Sequence, residues 1–79
     1  MTNADLARFA DDLRQRGVNA KTDSKYGDNG VQVGLVVDDY FFPLWELNDD
    51  ENGSLAAAGD FDAIRKRRPP GWRFANPGV

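Results

Sequence analysis

The sequence predicts an α+β fold: an N-terminal helix packed on a three- or four-stranded antiparallel sheet, then a short C-terminal helix and an extended tail. Three observations lead there. Leu6, Phe9, Ala10 and Leu13 recur at helical spacing, and Val31, Val33, Leu35 and Val37 recur at the period of a strand. Between that strand and a second apolar run, YFFPLWEL at 40–47, stands Asp38-Asp39, which fits a two-residue hairpin loop.

The helix is expected over 3–16. Its four apolar residues fall at i, i+3, i+4 and i+7 and form one stripe. Thr2 followed by Asp5 resembles a capping box, Asp12 and Arg16 are spaced for an i,i+4 ion pair, and Gly17 suits a left-handed stop. Val18, Ala20 and Thr22 then suggest a strand that runs into a loop built on Gly27, Asp28, Asn29 and Gly30, where Asn-Gly tolerates positive φ at low cost.

Counting outward from an Asp38-Asp39 loop pairs Val37 with Tyr40, Val36 with Phe41, Leu35 with Phe42, Gly34 with Pro43, Val33 with Leu44 and Gln32 with Trp45. Val31, Val33, Leu35, Val37, Tyr40, Phe42 and Leu44 then face the helix, while Val36, Phe41, Pro43, Trp45 and Leu47 form a second apolar face, with the Trp45 or Phe41 ring covering the bare Gly34. Strands of a small antiparallel sheet usually leave one face to water, so this second apolar face asks for a cover. Pro43 lacks an N–H and marks 40–47 as a sheet edge or as imperfectly paired with a following strand. The candidate for that strand is SLAAA at 54–58, reached through the acidic turn 48–53.

Asp60 is the expected N-cap of a short helix with Phe61 and Ile64 inward and basic residues near its C-terminal end, stopped by Pro69-Pro70. The chain thus divides into a single α+β domain at 1–68 and an extended Pro/Gly/aromatic tail at 69–79, in which Trp72 and Phe74 are placed to lie across the second sheet face.

Charge divides the same way. The net charge of −3 comprises 5 bases against all 13 acids in residues 1–64, and 5 bases with no acid in 65–79. A basic tail beside an acidic body either folds back or meets an acidic partner. The absence of Cys removes disulfides and thiolate metal sites and suits a reducing cytoplasm, and no apolar run is long enough to span a bilayer. The N-terminal segment has a charged amphipathic pattern where a secretory leader would be apolar.

Catalysis is poorly served. With neither Cys nor His, Ser24 or Ser54 would need a Lys or carboxylate base, and no phosphate-binding glycine motif occurs. The carboxylates of 49–52 with Asp60 and Asp62 do not follow EF-hand order, and Asp38, Asp39 and Glu46 do not share a face in the expected strand. No enzyme activity, cofactor or metal is expected.

What remains is recognition. The leading expectation is a small protein-interaction module, an adaptor, an inhibitor or half of a dimer, with Phe41, Trp45 and Leu47 as apolar anchors and Arg67, Arg68, Trp72 and Arg73 completing the contact. The alternative is nucleic-acid binding by RKRRPPGWRF at 65–74, with cations on phosphates and Trp72 and Phe74 on bases. The acidic body opposes that alternative.

Overall fold

In the computed structural model, residues 1–27 and 30–72 are described. The element order is α1 (Asn3–Gln15), β1 (Ala20–Gly27), β2 (Gly30–Val37), β3 (Tyr40–Pro43), α2 (Leu44–Leu47), α3 (Asp50–Ala57) and α4 (Phe61–Lys66). The strands form one antiparallel sheet in the order β1-β2-β3. The expected α+β architecture is therefore present, with three strands.

The N-terminal helix starts where its cap chemistry requires. Thr2 accepts from the Asp5 N–H through its hydroxyl, and the Asp5 carboxylate accepts from the Thr2 N–H, which satisfies two donors that the first helical turn cannot. These bonds, with Arg8 alongside, hold the Asp5 carboxyl below the usual carboxylate range. Gly17, at φ 85°, takes the left-handed conformation that ends the helix and turns the chain into β1.

Leu6, Ala10 and Leu13 of α1 pack on Ala20, Leu35, Val37 and Phe42 from the near face of the sheet, and Leu47, Ala56, Phe61 and Ile64 from the later helices close the same core. Phe42 and Phe61 meet edge to face with ring centroids 5.0 Å apart, a geometry that the ring quadrupoles favour.

The reversal between β2 and β3 uses the two residues Asp38 and Asp39, with φ of 50° and 71°, as a hairpin turn matched to strand twist demands. The counted register holds for Val37–Tyr40, Val36–Phe41, Leu35–Phe42 and Gly34–Pro43. It stops there, because the expected strand over 40–47 ends at Pro43. Proline can precede a helix as readily as it interrupts a ladder, and Leu44–Leu47 forms one helical turn with Pro43, at φ −65°, as its N-cap. The expected Val33–Leu44 and Gln32–Trp45 pairs are thus replaced by a change of direction. SLAAA is likewise not a strand: residues 54–57 form the end of α3 and Ala58 its C-cap, Asp49 caps the helix start by accepting from the Asn52 N–H, and alanines favour a helix over a strand.

Gly34 permits the bend. A Cβ at that position would run into the Phe42 carbonyl oxygen and come within 2.7 Å of the Pro43 Cα, so the β3 backbone fills the bare spot where an aromatic ring was expected. The α4 helix has the expected Asp60 cap, which accepts from the Ala63 N–H, with Phe61 and Ile64 buried.

Candidate functional site

The short helix α2 leaves the sheet at a corner and carries Trp45, Glu46 and Leu47 in three different directions. Trp45 is 54% exposed, whereas Glu46 and Leu47 are buried. Four residues form barely one turn, so neighbouring side chains point about 100° apart, and of the three it is Trp45 that faces solvent.

Glu46 is a buried carboxylate among the apolar residues of LWEL, and such a charge must be paired. Arg68, just past α4, supplies the partner. Its Nε and Nη2 donate to Glu46 Oε2 and Oε1 at 2.7 and 2.6 Å, and Nη2 also donates to the Phe41 carbonyl at 2.8 Å. The guanidinium carbon lies 4.7 Å from the Phe42 ring centroid and 3.6 Å from that of Trp72. Arg68 therefore ties the end of β3, α2 and the segment after α4 into one unit, a task that the planar, bidentate guanidinium performs and a lysine ammonium does not.

Arg67 turns the other way. It pairs with Asp49 Oδ2 at 3.2 Å and Glu51 Oε2 at 3.0 Å and also donates to the Asn52 side-chain carbonyl, which fastens α4 to the start of α3. The Asn52 backbone N–H and Arg67 hold the Asp49 carboxyl below the usual carboxylate range. Arg65 pairs with Asp62 at 3.1 Å and stacks over the Tyr40 ring at 3.5 Å. Arg67 and Arg68 thus fold back on acids of the same chain.

Between these fixtures lies an open groove of about 320 Å³ lined by Trp45, Asp49, Asn52, Ile64, Arg67, Pro69 and Trp72, with Glu46 and Arg68 at its base. Trp45 and Trp72 both line it, their rings packed together with centroids 6.0 Å apart and planes tilted by 42°. The structure gathers four of the expected contact residues at this groove: Trp45, Arg67, Arg68 and Trp72.

Phe41 and Leu47, expected as anchors, have relative exposures of 0% and 2% and offer no surface to a partner in this conformation. Phe41 lies on the sheet face away from α1, as the register implies, and Leu47 belongs to the core that α1 covers. Arg73 and Phe74 lie outside the described residues. Glu46, Asp49 and Asn52 were not foreseen. Asp49 carries a readable cap signal ahead of an alanine-rich run, and Glu46 is a lone acid within an apolar stretch; its partner is 22 residues away and leaves no local trace.

Among the described residues no group of acidic side chains is arranged to hold a metal ion, and no helix is long and apolar enough to cross a membrane. No protein-family model, curated protein or solved structure matches the chain.

Proposed function

We propose that the chain is a small non-enzymatic module that binds another protein at the corner formed by Trp45, Trp72 and the groove they line. The observation that carries this reading is the exposure of Trp45, a large aromatic on a one-turn helix, packed on Trp72 and open to solvent. An exposed Trp45 packed on a half-buried Trp72 beside a groove, with polar groups around them, has the composition of an interface centre with its polar rim.

The rim supports one kind of partner. Asp49 and Glu51 share the single Arg67, which leaves an excess of negative charge beside the groove, so a surface offering an apolar side chain flanked by Lys or Arg complements this corner. Nucleic acid is served less well. Arg65, Arg67 and Arg68 would each have to leave a carboxylate before meeting a phosphate.

Titration of purified partner against wild type and Trp45→Ala tests the reading. Loss of association with the fold retained supports it; unchanged association, or unfolding of the variant, opposes it.

A further inference from the structure

The edge of the sheet farthest from this corner is β1, and no strand pairs with its outer side among the described residues. Its outward groups can be deduced. Gly27 and Gly30 flank a two-residue loop and form a bonded pair, so bonding alternates along β1 and directs the backbone N–H and C=O of Ala20, Thr22, Ser24 and Tyr26 away from β2. Two bonds agree: Arg14 Nη1 reaches the outward Ala20 carbonyl at 2.8 Å, and the Asn19 carbonyl accepts inward from the Asp38 N–H at 3.1 Å.

We propose that this edge is a self-association surface, on which two copies pair antiparallel through β1 about a twofold axis at Ser24. That register sets Ser24 opposite Ser24 and Thr22 opposite the second copy's Tyr26. All of these are outward-bonding positions, and each such pair can exchange two hydrogen bonds. It also sets Asp23 opposite the second copy's Lys25, and the reverse, on the sheet face away from α1. Moving the axis by one residue, to Asp23, would place Lys21 opposite Lys25 and Asp23 opposite itself, so charge disfavours that register; an axis at Thr22 would match Lys21 with Asp23 but would need the Ala20 carbonyl that Arg14 already occupies.

Two further features fit a second copy. Tyr26 is 88% exposed, the most exposed of the large apolar side chains described, and in this register it stands beside Thr22 of the other chain. There an open groove of about 390 Å³, lined by Asn3, Leu6 and Ala7 of α1 with Thr22, Asp23, Ser24 and Val33, has room for its ring. In the single chain, Asp23 turns its carboxylate onto the Ser24 N–H at 2.8 Å and reaches Lys25 at only 3.9 Å. Pairing hands that N–H to a backbone carbonyl and frees Asp23 for the other chain's lysine. A single edge contact of this length is smaller than the roughly 1,200 Å² of a standard stable interface, so the dimer is weak and concentration-dependent.

Sedimentation equilibrium tests the proposal. Wild type should move from the 8.8 kDa of one chain toward twice that mass before about 1 mM. Asp23→Lys and Lys25→Asp each set like charges opposite one another twice and should weaken association at least tenfold, with circular dichroism unchanged. Mixing the two single variants, or combining both substitutions in one chain, should restore it, and Tyr26→Ala should weaken it with charge untouched. A wild type that stays monomeric at that concentration overturns the proposal, as does failure of the mixed and double variants to recover. Trp45→Ala should leave this association unchanged, which separates it from partner binding at the opposite edge.

Discussion

Arg68 and Glu46 form a two-pronged ion pair whose side chains are 6% and 4% exposed, and this pair sets the shape of the Trp45 corner. Removing one partner strands the other charge in the interior. Arg68→Ala is expected to destabilise the fold by about 3–5 kcal/mol, read from urea unfolding, with Arg68→Lys recovering only part. Replacing both residues by apolar side chains of similar volume should cost far less, because no unpaired charge remains. Equal losses for the single and double replacements would show that shape, and not charge, matters here.

Gly34 is expected to be intolerant. Alanine would force its Cβ against the Phe42 carbonyl and Pro43 Cα, both backbone, so Gly34→Ala should reach or exceed the upper end of the roughly 1–3 kcal/mol that overpacking costs. Gly53→Ala is the internal comparison. Its Cβ would lie 3.3 Å from the Leu47 carbonyl, a milder contact in a helix that gains from alanine.

The Asp38-Asp39 turn leaves room for improvement. Both residues sit at positive φ, which Asp tolerates less well than Gly. Asp39→Gly should raise stability by about 0.5–1 kcal/mol in thermal unfolding, the gain in turn geometry exceeding the added freedom of the unfolded chain. A drop in stability would mean that the Asp39 side chain contributes a contact worth more than the strain.

Acid should loosen both helix starts. The Asp5 and Asp49 carboxyls titrate below their unfolded values, held there by the Thr2 and Asn52 backbone N–H groups respectively. Such groups add stability that is fully present above the unfolded pKa, about 4, and is lost as pH falls through the lower folded value. Asp5→Asn and Asp49→Asn should therefore show a smaller loss of stability than wild type between about pH 5 and pH 2. Parallel curves would remove these caps from the account.

Much of the frame was legible because its signals are local. The stripe of Leu6, Phe9, Ala10 and Leu13 marks α1, and the Asp38-Asp39 reversal fixes four cross-strand pairs. The corner was not legible. Apolar residues on both faces of 40–47 can signal a buried strand or a strand that becomes a helix, and a four-residue segment has no period with which to choose. Pro43 and the Asp49 cap marked the change, yet the groove depends on Arg67 and Arg68 meeting Asp49 and Glu46 across 18 and 22 residues, and ion pairs at that separation leave no pattern in sequence.

The most direct test of the central claim compares wild type and Trp45→Ala in two measurements on the same preparations: unfolding free energy, and the Kd for a partner protein purified after capture from the host. An exposed anchor predicts stability within about 0.5 kcal/mol of wild type, as for surface substitutions. It also predicts a Kd raised about thirtyfold, the effect of a 2 kcal/mol hot spot. A variant that binds as tightly as wild type, or one that unfolds, would contradict a docking role for Trp45.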